Sequence, residues 1–272
     1  MPEIIEICSP FFKGISINTN GKNSSWIDKC KENNFHVQLS IDGTPQVHNK
    51  IRENGLIDIY GCIMETIEKL NKHNISYNIS TTVGQNNYEC ISDLCKLINQ
   101  LPQICYWKVS PMLPFGCADS NNVLPIDKWN DLVNTLLEEA EVRLHIKKLF
   151  DFQLLDRYMK INPNINSFPK ANCGDVRYKI YVYPDFTVYP CTCLTDYPLG
   201  NLKTHKLNEI IKNPTSQEFI NYKVKADSVC YKCKYLPICN GGCIGMSYRF
   251  FNTLGKGDYR CPLIQKELLT II

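Results

Sequence analysis

The segment from Cys230 to Cys243, CYKCKYLPICNGGC, places four thiols within fourteen residues, and any fold that accepts it must bring those sulfurs together. Close thiols end as disulfides or as metal ligands. A C-x2-C turn reverses the backbone so that both sulfurs point at one metal centre, and Cys230 and Cys233 have that spacing. Pro237, Gly241 and Gly242 permit the further tight turns needed around Cys239 and Cys243. The two glycines also leave N–H groups able to bond to metal-bound sulfur. Cys173, Cys191 and Cys261 extend the array to seven, and Cys193 is an eighth.

The opening MPEIIEICSPFFKG has neither the basic flank nor the apolar run of a signal peptide, and no later stretch approaches a membrane-spanning length. A cytoplasmic protein with no membrane partner is expected. In that reducing compartment metal ligation is favoured over disulfides, and the cysteines number fifteen, an odd count. Spacing alone leaves a structural zinc knot and an iron centre both open. The net charge of +3 comes from scattered basic residues, which leave no footprint for nucleic acid. Small molecules or peptides are the expected partners. With 44% hydrophobic residues, 272 residues can bury a real core, as one large domain or two smaller ones.

From Gly14 to Ser110 short β-branched runs alternate with amphipathic segments. Residues 14–18, 35–41, 75–83 and 104–110 read as strands, and Ser24–Asn33, Asp58–His73 and Asn87–Gln100 as helices. Ile59, Ile63, Ile67 and Leu70 recur at helical spacing and would cover a sheet. Strand–helix–strand repetition predicts parallel β/α units joined by right-handed crossovers, with function at the strand ends. The loops there are TNGKN (19–23), DGTPQ (42–46) and GQNN (84–87). After Pro111 come helical segments at Lys128–Glu141 and Leu149–Lys160, a linker-like stretch at 162–174, a hairpin at 178–191 and two short helices near 205–223. A domain boundary is expected near residue 165.

The order C-x17-C, gap, C-x2-C-x5-C-x3-C, gap, C, with a hairpin between the first two cysteines and GNL (200–202) after them, resembles the SPASM extension of radical SAM enzymes. The resemblance implies up to two auxiliary [4Fe–4S] clusters with interleaved ligands. Cys173, Cys191 and Cys243 would bind the first, and Cys230, Cys233, Cys239 and Cys261 the second. Phe186 stands where the hairpin of that family has glycine. The first cluster also lacks a fourth cysteine just before Cys173, leaving an open iron or completion by Cys193 or Cys117.

The resemblance extends forward. ISINTNG (15–21) is similar to the third strand of a radical SAM barrel and VQLSIDGTPQVHNKIR (37–52) to the fourth, with Asn49 in place of an aspartate. The fold implied is a partial radical SAM (β/α) barrel over 1–165, followed by a small cysteine-rich α+β SPASM extension over 166–272. No C-x3-C-x2-C triplet occurs in these residues, and Cys8 stands alone. That triplet carries the cluster that cleaves S-adenosylmethionine (SAM), so the chain as given is expected to be the C-terminal portion of such an enzyme and inactive by itself. Of the SAM pocket, Ser40 would hold the ribose, Asp42 with Gly43 would shape its loop, and Arg52 would reach a carboxylate. Strand ends at Thr82 and Ser110 would contact the adenosine.

The full activity implied is modification of a peptide or protein, most plausibly maturation of a ribosomal peptide, with an electron donor such as flavodoxin or ferredoxin. Thr192 follows Cys191 where sulfatase-oxidising members have an acid, which argues against that branch, although Asp196 is near. The rival reading is a non-catalytic iron–sulfur or zinc module that holds a peptide or partner enzyme. His36 and His73 read as structural, and His48 as a loop-fixing residue. Cys95, on an apolar helix face, and Cys30, Cys62 and Cys105 read as buried core thiols. The tyrosines at 178, 181, 183 and 189 suit a strand.

Overall fold

The computed structural model describes residues 2–30, 35–53, 55–116, 118, 120–146, 151–161 and 174–271. The chain divides into two compact units, Met1–Lys148 and Leu149–Ile272. The boundary expected at residue 165 falls outside the described residues. The helix at Phe152–Ile161 belongs with the second unit.

The first unit runs α1 (Pro2–Cys8), β1 (Ile15–Thr19), α2 (Ile27–Cys30), β2 (Phe35–Ser40), α3 (Pro45–Glu53), α4 (Ile59–Lys72), β3 (Tyr77–Val83), α5 (Ile91–Asn99), β4 (Ile104–Pro111), α6 (Ile126–Glu139) and β5 (Leu144–Ile146). All five strands are parallel and lie in the order β1-β2-β3-β4-β5. Each strand therefore neighbours its successor, the order of a (β/α) barrel wall and not of a doubly wound sheet, where the order reverses.

Helix α4 illustrates why these elements form. The Asp58 side chain accepts from the Gly61 N–H at 2.9 Å and caps its start, and Ile59, Ile63, Thr66, Ile67 and Leu70 are buried along one stripe. The cap contributes about 1 kcal/mol. Each fully buried aliphatic side chain contributes about 1.5–3 kcal/mol, so packing outweighs capping. On the sheet, Phe35, Val37, Leu39, Ile79, Trp107 and Val109 are buried. The alternate residues of β2 are His36, Gln38 and Ser40, only partly covered. Register pairs Ser40 with Ser80, Ser80 with Lys108 and Lys108 with His145, so this second face is polar across four strands.

Two elements depart from expectation. His48, expected on a loop, lies on α3, as does Arg52. Pro45 opens that helix at the position where its fixed φ and missing N–H are tolerated. Strand β5, only three residues long, is too short for a period-2 pattern to register. Cys95 is buried on α5 as expected, whereas Cys105 is exposed. On β4 it lies near the start of the strand, before the positions at which Trp107 and Val109 are buried on the same side.

The second unit contains α7 (Phe152–Ile161), the antiparallel strands β6 (Tyr181–Val182), β7 (Thr187–Tyr189) and β8 (Gly200–Asn201), then α8 (Leu207–Lys212), α9 (Pro214–Ile220), α10 (Leu236–Cys239), α11 (Ile244–Phe251) and α12 (Pro262–Ile271). The predicted hairpin is β6–β7, and the GN of GNL forms β8 against β7. Phe186 has φ of 69°, a left-handed conformation that costs a side-chain-bearing residue about 1–2 kcal/mol. The site that the SPASM pattern fills with glycine thus keeps its glycine-like backbone. Val176, Val188, Cys191, Leu194, Leu199, Ile210, Phe219 and Ile244 form one apolar cluster of this unit. Val224, Cys230 and Ile264 anchor a second.

Candidate metal centre

Cys230, Cys233, Cys239 and Cys261 line a single cavity with Phe152, Leu155, Tyr235, Leu236 and Leu263. Short helical turns deliver each thiol. Cys230 opens a 3-10 turn over Val229–Lys232, where the Ser228 hydroxyl accepts from the Cys230 N–H at 3.2 Å and donates to the Lys256 carbonyl at 2.8 Å. The Cys233 N–H returns to the Cys230 carbonyl at 3.1 Å, which closes the C-x2-C turn. Cys239 ends α10, followed by Asn240 at φ 46°. Cys261 precedes α12 and donates its N–H to the Asp258 carbonyl at 2.9 Å.

Gly257, at φ 91°, lets the chain pass directly under the first of these thiols. A Cβ there would lie 2.6 Å from the Cys230 sulfur. Burial pushes the Cys230 thiol up to about 11; the Ser228 hydrogen bond opposes the rise, and Cys261, Cys239 and Cys233 add to it. Crowded thiols of this kind keep their protons until a metal cation supplies the opposing charge. Among the described residues no three His, Cys, Asp or Glu side chains converge closely enough for one metal ion. The four thiols ring a cavity instead.

Cys243 is not on that lining. It is the N-cap of α11, and its N–H donates to Asp258 Oδ2 at 3.1 Å. Cys191 is buried at the end of the hairpin, with the Cys193 N–H 3.5 Å from its sulfur. Cys173 and Cys117 lie outside the described residues. The four residues that the SPASM resemblance puts on one cluster therefore share a cavity, while Cys191 and Cys243 stand apart from it.

Tyr222 contributes a hydroxyl that is buried and, among the described residues, lacks a hydrogen-bond partner. A Cβ on Gly241 would be 3.5 Å from it. Burial pushes this phenol up to about 12, and the charges of Cys230, Cys239, Cys243 and Asp258 act in the same direction. Neither Tyr222 nor the Asp258–Arg260 ion pair beside Cys243 was among the sequence candidates. For the pair, the D-x-R-C run ending at Cys261 was the available signal.

In the first unit the loop after β2 is tied down by buried polar bonds. The Asp42 N–H donates to His48 Nδ1 at 3.0 Å, Asp42 Oδ1 accepts from the Thr82 N–H at 3.0 Å, and Oδ2 accepts from Arg52 at 2.5 Å. Asn87 donates to the carbonyls of Asp42 at 2.6 Å and Thr82 at 2.8 Å, joining the ends of β2 and β3. From sequence, Asn87 is the end of a polar loop and the start of a helix, and not a candidate site residue. The structure thus brings Asp42 and Arg52 together, with the Arg52 fork engaged by Asp42. Ser40 lies at the end of β2 on the polar face, paired with Ser80.

Residues 173–234 match the SPASM family, described as an iron-sulfur cluster-binding domain. Over 246 residues the chain is 28% identical to the cysteine-type anaerobic sulfatase-maturating enzyme of Clostridium novyi, covering 84% of this chain and 63% of that protein. The chain is similar to radical SAM/SPASM enzymes over most of its length, and the SPASM match itself is confined to residues 173–234. It spans less than two thirds of that relative's length. Two solved structures share the fold. One is anSMEcpe with bound AdoMet and a peptide, at TM-score 0.62 and 22% identity over 94% of this chain and 72% of that one. The other is Streptococcus suis SuiB bound to S-adenosylmethionine, at TM-score 0.69 and 14% identity over 96% of this chain and 62% of that one.

The donor set suits the iron–sulfur clusters that a SPASM domain binds. Four cysteine thiols on one cavity are the ligand type and number such a cluster takes, and the unpartnered Tyr222 hydroxyl lies beside them. Among the described residues, no helix is long and apolar enough to cross a membrane.

Proposed function

We propose that this chain is the auxiliary-cluster portion of a radical SAM/SPASM enzyme that modifies a peptide or protein, with ribosomal peptide maturation as its setting. The observation that carries the reading is the shared cavity of Cys230, Cys233, Cys239 and Cys261. These four hold one [4Fe–4S] cluster, and Cys173, Cys191 and Cys243 hold another. A bound cluster passes or accepts single electrons; the chain's own part is to ligate it, bury it and shield it. The functional boundary of the cluster domain falls near residue 165.

Ser40, Asp42 and Arg52 form the SAM-facing edge of the first unit, Ser40 through its hydroxyl and the other two by fixing the loop that follows it. The relatives' peptide and protein substrates support a peptide partner for this chain. A flavodoxin or ferredoxin supplies electrons, and the setting is the cytoplasm. Without a C-x3-C-x2-C triplet in these 272 residues, the chain by itself does not cleave SAM. Thr192 in place of an acid after Cys191 favours chemistry other than sulfatase oxidation.

Anaerobic purification tests the reading. A brown protein with about eight irons and as many sulfides per chain is expected, and no 5′-deoxyadenosine on adding SAM and reductant. A colourless, zinc-loaded protein would overturn the cluster assignment, and 5′-deoxyadenosine would overturn the claim about SAM.

A further inference from the structure

The Tyr222 hydroxyl is a liability in the polypeptide taken alone. It is buried and has no hydrogen-bond partner among the described residues, a condition that native structures avoid unless something else satisfies the group. Phenylalanine would fill the same space without that unmet hydrogen bond. The ring packs against the Val176–Ile244 apolar cluster. The oxygen points at the turn of Gly241, where a Cβ would stand 3.5 Å away. Cys230, Cys239 and Cys243 all act electrostatically on it, and Cys230 and Cys239 line the same cavity as Gly241.

We propose that Tyr222 is a positioning residue whose hydroxyl donates a hydrogen bond to a sulfur of the cluster held by Cys230, Cys233, Cys239 and Cys261, and so raises its reduction potential. The inference rests on the cluster reading above. A thiol sulfur is a poor acceptor, whereas cluster sulfurs carry negative charge and accept readily. Reduction adds a further negative charge to the cluster. The O–H donor therefore stabilises the reduced form more than the oxidised form, and hydrogen bonds to sulfur are among the levers that set cluster potentials. The other polar group at this turn, Asp258, is already committed to Arg260 and to the Cys243 N–H. As a carboxylate it also has no proton to donate, whereas the Tyr222 hydroxyl does and lies against Gly241, which lines the cavity.

The test is a redox titration of the anaerobically purified chain, followed by electron paramagnetic resonance, for wild type, Tyr222→Phe and a variant carrying 3-fluorotyrosine at position 222. Tyr222→Phe retains the ring, so iron and sulfide content should equal wild type while the midpoint potential becomes more negative. Fluorotyrosine has a more acidic O–H and should move the potential the other way. A purely packing role predicts no such pair of opposite shifts. Equal potentials in wild type and both variants at full iron content would overturn the proposal. If Tyr222→Phe fails to load, the fluorotyrosine protein decides: a more positive potential supports the proposal and an unchanged one overturns it. Wild-type protein devoid of iron and sulfide would instead overturn the cluster reading, so the two failures are distinct.

Discussion

Asp258 and Arg260 form a two-point ion pair that is almost wholly buried. Arg260 donates from Nε to Oδ1 at 2.9 Å and from a terminal nitrogen to Oδ2 at 2.8 Å, with side-chain exposures of 5% and 1% for Arg260 and Asp258. Because Oδ2 also accepts the Cys243 N–H, one carboxylate joins the start of α11 to the residues that lead into α12. Removing one partner of a buried pair strands the other charge, at about 3–5 kcal/mol. Asp258→Ala should lower the urea unfolding free energy of the second unit by about that amount. The double variant Asp258→Ala with Arg260→Met should lose less than Asp258→Ala alone, since no unpaired charge remains. A larger loss in the double variant would sink this account of the pair.

Each of the four cavity cysteines should be separately necessary for one cluster. Replacing Cys230, Cys233, Cys239 or Cys261 by serine is expected to remove about four irons per chain. Cys95→Ala, in the buried face of α5, should leave the iron content unchanged. Iron and sulfide assays of anaerobically purified variants read this directly. Retention of full iron by any of the four serine variants would move that residue out of the ligand set.

Gly257 offers a test that spares every ligand. An added methyl would meet the Cys230 sulfur at 2.6 Å in a backbone of φ 91°, so Gly257→Ala carries both a clash and a conformational penalty. It should abolish loading of the Cys230 cavity, with the first unit still showing its own unfolding transition in calorimetry. Normal iron content in this variant would contradict the described approach of the two groups.

His48 makes the first unit sensitive to acid. Burial holds its pKa below the ordinary 6.5; Asp42 opposes that shift and Arg52 reinforces it. Nδ1 accepts the Asp42 N–H, so the neutral ring carries its proton on Nε2, which is buried without a partner among the described residues. The unfolded ring takes up a proton near 6.5, whereas the folded ring does so only at lower pH. Stability is therefore fully present above 6.5 and declines as pH falls below it, by at most about 1.4 kcal/mol per pH unit. Urea midpoints compared at about pH 7.5 and about pH 5.5 should differ less in His48→Asn than in wild type. Equal differences would show that another group carries the acid sensitivity.

The repetitive part of this protein was open to reading from sequence because periodicity and burial coincide there. Helix α4 lies within one residue of its expected ends, marked by Asp58 and His73; strands β2 and β3 fall within the expected runs of β-branched residues, and β1 and β4 each extend one residue past theirs. Helix α3 was missed because its residues are mostly polar, so no apolar stripe announces it. The cysteine grouping came from the SPASM resemblance and not from spacing, since Cys261 joins the cavity from well beyond Cys243, which does not line it. Tyr222 and Asp258 were not legible: they reach the cysteines from eight residues before Cys230 and three before Cys261, through tertiary packing that no local pattern encodes.

The Phe152 ring stacks on Tyr235 at 4.9 Å and 5°, and the Tyr235 hydroxyl reaches the Phe152 carbonyl at 3.4 Å. With Leu155, Leu236 and Leu263 these rings wall the cysteine cavity in hydrocarbon. For a cluster that air destroys, such a wall acts as a diffusion barrier, and the useful life of the protein outside an anaerobic chamber depends on how often two aromatic rings part.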